Sequence, residues 1–137
     1  MENKQTYKII LVDDQPIFRE GLKLYLENEL GHSVIAEASN GIEFLKLNNI
    51  RKADIVIMDI EMPKMNGLEA SKLVLNQYLD LKIIAITMYQ DKAYLKDLIE
   101  RGIKGFIHKS DAFENVNEVM DMVFENQFSF PDSLEVG

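Results

Sequence analysis

Three carboxylates stand where the most apolar stretches of this chain end: Asp13 and Asp14 close KIILVDD, and Asp59 closes ADIVIMD. A short run rich in Ile, Val and Leu, bounded by polar residues, reads as a strand buried on both faces of a parallel sheet. In open α/β sheets ligands bind in the crevice outside the carboxyl ends of the strands, so acids placed there face a ligand rather than a core. At about 5 Å and an effective dielectric near 20, each pair of unit negative charges repels by roughly 3 kcal/mol. Something positive must offset that repulsion. Oxygen donors without imidazole or thiolate suit a hard divalent cation, Mg2+ foremost and Mn2+ as a substitute. Lys109 closes a further apolar segment, GFIHK, and belongs at the same edge. Three negative charges, one lysine and a dication sum to zero, so the site is electrically tolerable only with the metal bound.

Each residue has a chemical reading and a plainer one. Asp59 is the candidate nucleophile: a strand-end aspartate beside a metal can attack phosphorus and hold the phosphoryl group as a mixed anhydride. Its plainer reading is a cap on the following loop. Asp14 is the candidate direct metal ligand. Asp13 is a second acid, holding the metal through water or orienting Lys109. An Asp-Asp pair ahead of a helix also suits an N-cap at the positive end of the macrodipole. Glu61 lies two residues beyond Asp59, where its backbone carbonyl could complete the coordination and its side chain guard the entrance, or simply stand exposed. Thr87 ends KIIAIT and would offer a hydroxyl to phosphoryl oxygens only after phosphorylation, which is the differential contact a switch requires. Otherwise it is β-branched filler. Phe106 packs inward or outward as the loop after Thr87 shifts, or is ordinary core. Tyr89 flanks the site together with Glu61. Lys109 alone would be one of fifteen basic residues, and strand-end placement is what lifts it.

The elements that must position these groups alternate between short strand-like runs and longer segments of helical spacing, in five rounds, as in an α/β domain with a parallel sheet. Strands are expected near 7–12, 33–38, 54–59, 82–87 and 104–108, the second least buried because VIAEAS mixes polar and apolar positions. Helices are expected near 15–30, 41–49, 66–78, 91–101 and 112–126. Pro16 suits a first helical turn, Asn40-Gly41 reads as a turn, and Gly102 and Gly105 flank the last strand. Right-handed crossovers leave few sheet orders. Of these, 2-1-3-4-5 puts strands one and three together and gathers Asp13, Asp14 and Asp59 in one crevice: a flavodoxin-like (βα)5 three-layer sandwich.

The 137 residues fit one domain with a sizeable core. Residues 1–128 are read as that domain and 129–137, where FSFPDSLEVG loses its periodicity, as a linker or tail. A net charge of −8 speaks against direct binding of nucleic acid, which clustered Lys and Arg carry. No cysteine is present, so disulfides, thiolate zinc sites and thiol nucleophiles are excluded. The opening MENKQTYK has no apolar h-region and no segment approaches bilayer length, which makes a cytoplasmic protein without a membrane partner the expectation. His32 and His108 are the sole histidines, too far apart in this topology for a metal pair or a triad. Neither GxxxxGK[ST] nor GxGxxG occurs.

LVDDQPIFREGLKLYL, IVIMDIEMPKMNGLEA, AITMYQ and GIKGFIHKSD together resemble the receiver domain of bacterial two-component response regulators, over about residues 7 to 126. By this resemblance Asp59 matches the phosphoacceptor, Asp13 and Asp14 the acidic pair, Thr87 the switch hydroxyl, Phe106 the switch aromatic and Lys109 the invariant lysine. DDQPIFREGL with GFIHKSD is most similar to the subfamily whose receivers precede a LuxR/NarL-type helix-turn-helix. Ser110 stands where many receivers have proline, and Phe106 lacks the hydroxyl of the frequent tyrosine. The resemblance implies a sensor histidine kinase as donor, a phosphorylation-linked homodimer, and DNA contact only through a C-terminal domain absent from this chain. A stand-alone receiver is the alternative. Two rival classes remain on the residues alone. One is a Mg2+-dependent Asp-nucleophile phosphohydrolase, although its usual DxDxT would fall on the first strand. The other is a flavin-binding module, although acids at the first loop would repel a phosphate.

Overall fold

The computed structural model describes residues 5–62, 64–88 and 92–127. Five strands, β1 (Lys8–Val12), β2 (Ser33–Ala38), β3 (Ile55–Asp59), β4 (Ile83–Thr87) and β5 (Gly105–His108), form one sheet of order β2-β1-β3-β4-β5. All neighbouring pairs are parallel. The expected order is therefore the observed one. β3 and β4 are buried at every position, whereas β2, at the edge, is exposed or half-buried everywhere except Ala38. This follows from its polar admixture.

Side chains alternate between two cores. Ile10, Val12, Val56, Met58, Ile83 and Ala85 pack on one face beneath α2 (Gly41–Leu45), α3 (Gly67–Gln77) and α4 (Lys92–Glu100). Ile9, Leu11, Ile55, Ile57, Ile84 and Ile86 pack on the other beneath α1 (Pro16–Leu24) and α5 (Ala112–Phe124). Burial of each such side chain contributes about 1.5–3 kcal/mol, so the aliphatic strands anchor the sheet whose edge carries the acids.

Two helices depart from expectation. The segment expected as helix over 15–30 is α-helical from Pro16 and continues as a π-helical stretch over Tyr25–Glu29. Glu27 in that stretch accepts a hydrogen bond from Val34 N–H (3.1 Å) on β2. The segment expected over 41–49 ends at Leu45, followed by a separate 3-10 turn at Ile50–Lys52. Asn40, expected in a turn, is the N-cap of α2: its side chain accepts from Glu43 N–H (2.9 Å), while Glu43 accepts from Ser39 N–H (2.9 Å). Asn66 caps α3 in the same way, accepting from Glu69 N–H (2.9 Å). Gly102 adopts φ +101°, the left-handed conformation that closes α4 and returns the chain to β5. Among the described residues no peptide bond is cis, and no helix is long and apolar enough to cross a membrane.

Candidate functional site

The strand register delivers the acids to one place. Val12 of β1 pairs with Met58 of β3, so the residues that follow, Asp13 and Asp59, emerge side by side. Asp59 pairs with Ile86, so Thr87 emerges one residue further along β4. Thr87 pairs with His108, so Lys109 emerges beyond the end of β5. Asp59 and Thr87 are 3 % and 2 % exposed. Such burial of an acid is expensive unless it is paired.

Lys109 supplies the pairing. Its Nζ lies 3.0 Å from Asp59 Oδ2 and 3.1 Å from Asp13 Oδ2, and 4.6 Å from the centroid of the Phe18 ring. Only 9 % of the lysine side chain is exposed. Burial alone would lower the ammonium pKa, but the hydrogen bond to Asp59 and the negative charges of Asp59 and Asp13 outweigh it and hold the group above the ordinary lysine range. The Asp59 carboxyl moves the other way. Burial, reinforced by the Asp13 charge, pushes it up to about 6 against the opposing pull of Lys109. One lysine is therefore insufficient for the acids around it.

Asp13, Asp14 and Asp59 each offer a carboxylate oxygen, and these atoms lie within 4.8 Å of one another. Asp13 Oδ1 accepts from Gln15 N–H (2.7 Å). Asp13 Oδ2 touches the ammonium as an ion pair without hydrogen-bond geometry, leaving a buried oxygen with no hydrogen-bond partner. An orphaned carboxylate oxygen beside two further acids fits a hard cation with oxygen ligands. The capping alternative for the acidic pair is not realised: α1 begins at Pro16, with Gln15 in the N-cap position and no side-chain cap.

Glu61 does more than stand at the entrance. Its N–H donates to Asp59 Oδ1 (3.0 Å), and its carboxylate accepts from Thr87 Oγ1–H (2.9 Å) and Met88 N–H (3.0 Å). Phe106 is buried and belongs to the core beneath α4, which is the inward of its two expected positions. Tyr89 lies outside the described residues, as do residues 129–137.

Several contributors were not singled out from the sequence. Arg19 donates through Nη1 to the Asp13 carbonyl, Phe18 roofs the lysine, and His108 donates from Nε2 to the Met88 carbonyl (3.1 Å). Gly67 begins α3 directly against β3, its N–H donating to the Ile60 carbonyl (3.0 Å). The signal for Gly67 was present in Asn66-Gly67 followed by Glu69, a cap that forces the helix start.

Comparison with known proteins agrees with this geometry. The profile of the response regulator receiver domain matches residues 9–121. The transcriptional regulatory protein YdfI of Bacillus subtilis is 36% identical over 129 residues, covering 93% of this chain and 60% of that protein. DegU of Brevibacillus brevis, also a transcriptional regulatory protein, is 30% identical over 121 residues, covering 88% of this chain and 51% of that protein. The chain thus spans between half and three fifths of these two relatives. Among solved structures, a LuxR-family two-component response regulator from Aurantimonas sp. SI85-9A1 superposes with a TM-score of 0.87 at 29% identity, over 95% of this chain and 93% of that one. A strand order that gathers three acids and a lysine at one edge of the sheet, matched by a family profile over most of the sequence, places the chain among the response regulator receiver domains.

Proposed function

We propose that this chain is a phosphorylation switch whose acceptor is Asp59 and whose donor is the phosphohistidine of a sensor histidine kinase. The observation that carries the reading is the Lys109 ammonium seated between Asp59 and Asp13 at the carboxyl edge of the sheet, with Asp14 beside them. In the transfer a carboxylate oxygen of Asp59 bonds to phosphorus as the P–N bond of phosphohistidine breaks, the imidazole leaving with the electron pair. Glu61 N–H on one oxygen of Asp59 and Lys109 on the other fix the plane of the attacking carboxylate. Water later attacks phosphorus, returning the carboxylate and releasing phosphate.

Asp13, Asp14 and Asp59, with the Glu61 carbonyl, would hold Mg2+ or Mn2+, whose chemistry is to neutralise charge on the acceptor and phosphoryl oxygens. Lys109 supplies the remaining positive charge. After transfer Thr87 donates its hydroxyl to a phosphoryl oxygen, and the inward Phe106 follows the end of β4. The chain modifies itself rather than turning over a separate substrate. Its output surface is the face formed by β4, β5, α4 and α5, and phosphorylation favours the pairing of two copies. Since the relatives above are transcriptional regulators, the switch would govern a separate DNA-binding domain, in keeping with a receiver surface too acidic for DNA. Residues 1–128 form the switch and 129–137 the connection, in a cytoplasmic protein.

Acetyl phosphate with Mg2+ tests this. The wild-type protein is expected to gain one phosphoryl group by intact mass and Asp59→Asn to gain none. Equal labelling of the two proteins overturns the assignment, and many turnovers on small phosphomonoesters would indicate a phosphohydrolase instead.

A further inference from the structure

We infer that the Glu61 carboxylate is a latch that keeps the Thr87 hydroxyl engaged away from Asp59 until a phosphoryl group arrives; this rests on the acceptor reading above. Glu61 is joined to both strands of the site. Its N–H holds Asp59 Oδ1 at the end of β3, and its two carboxylate oxygens hold Thr87 Oγ1 (2.9 Å) and Met88 N (3.0 Å) at the end of β4. The Met88 peptide is held from the far side as well, because His108 Nε2 donates to its carbonyl (3.1 Å). Since Nε2 carries the proton, His108 Nδ1 accepts from the Ser110 hydroxyl (2.7 Å). The end of β4 is thus clamped between a carboxylate from the β3 side and an imidazole from the β5 side.

A threonine hydroxyl has one proton and donates it to one acceptor at a time. While it is donated to Glu61 it is not available to a phosphoryl oxygen. A phosphoryl group on Asp59 competes for that proton and places added negative charge two residues from the Glu61 carboxylate. Both effects act in the same direction. The hydroxyl exchanges acceptors, and Glu61, repelled and without Thr87, releases the Met88 N–H. The residue therefore sets the threshold at which charge on Asp59 becomes movement at the end of β4. Glu61 acts through Thr87 and is a positioning residue.

Beryllofluoride titration in Mg2+, read by the Thr87 methyl resonance, tests the latch. Glu61→Ala is expected to take beryllofluoride about tenfold more tightly than wild type, the equivalent of one charge-assisted hydrogen bond. Its ligand-free Thr87 methyl is expected to move toward the position seen in bound wild type. Glu61→Gln, which keeps one carbonyl acceptor and no charge, is expected between the two. In a Thr87→Val background the gain from Glu61→Ala is expected to shrink. An undiminished gain in that background means that Glu61 acts by charge alone and overturns the latch. Unchanged or weaker binding by both Glu61 variants, with wild type binding normally, overturns the latch and leaves the acceptor reading standing. Failure of wild type itself to bind overturns both.

Discussion

Gly67 lies so close to Asp59 that a Cβ added to it would stand 2.4 Å from the Asp59 carbonyl oxygen and 2.9 Å from Ile60 Cα. Both neighbours are backbone, so the strand carrying the candidate acceptor would have to move. Gly67→Ala is expected to cost about 1–3 kcal/mol in urea denaturation, the usual range for forced overpacking. It is also expected to slow labelling of Asp59 by acetyl phosphate. Full stability together with full labelling would show that α3 yields without disturbing Asp59.

The raised Asp59 carboxyl makes the metal-free protein pH-sensitive in a defined direction. Below about pH 4 the carboxyl is protonated in folded and unfolded chains alike, and nothing is lost. Between about 4 and 6 the unfolded chain gives up the proton first, because the folded group titrates at about 6, so stability falls as pH rises. Above that window the full penalty, about 3 kcal/mol for a shift of two units, remains. Asp59→Asn should therefore stabilise the protein in EDTA at pH 7.5 and have much less effect at pH 4. An effect of equal size at both values would refute the assignment of this penalty to Asp59.

Divalent metal should reverse that penalty. Thermal denaturation at rising Mg2+ is expected to show stabilisation that reaches about 2.7 kcal/mol at one hundred times the dissociation constant. Asp14 is the member of the acidic cluster with no hydrogen bond or ion pair among the described residues, so its carboxylate stays available to the ion. Asp14→Asn should abolish most of the response, and an unaltered Mg2+ dependence in that variant would remove Asp14 from the ligand set.

At the opposite edge of the sheet His32 has a purely structural part. Its Nδ1 accepts from Tyr7 N–H (3.1 Å), which places the ring proton on Nε2, donated to Asn117 Oδ1 (3.1 Å) on α5. The ring also stacks on Tyr7, with centroids 5.0 Å apart. His32→Phe keeps the stacking and strands the Tyr7 N–H, at an expected cost of about 1–3 kcal/mol by chemical denaturation. Beryllofluoride affinity should be unchanged. A variant as stable as wild type would mean that another acceptor replaces the imidazole.

What could be read in advance was what the hydrophobic pattern controls. Apolar runs that end in acids predicted the strands, and the strand order brought Asp13, Asp59 and Lys109 together, because parallel strands share one carboxyl edge. Contacts made by long side chains across that edge were not legible. Glu61 is two residues from Asp59 in sequence, yet its carboxylate is engaged by β4, twenty-six residues later. Phe18 could be assigned to α1, but its ring meets Lys109 only because α1 and α5 cover the same face of the sheet, where Phe18 also lies edge-on to Phe113 (5.9 Å). The helix errors have a local cause. Ser39-Asn40 followed by Glu43 is a capping pattern that was read as a turn, and no periodicity marks the end of α2 at Leu45.

The near-equal reach of Lys109 to its two acids gives the ammonium a differential character. Held at 3.0 Å from one carboxylate, which it hydrogen-bonds, and 3.1 Å from the other, which it meets as an ion pair, under an aromatic ring, it has little water to turn to. Its position therefore reports imbalance rather than total charge: whatever deepens the potential on one side draws the cation there and loosens its grip on the other. A chain arranged in this way seats one cation between two neighbouring anions, directly after the last residue of β5.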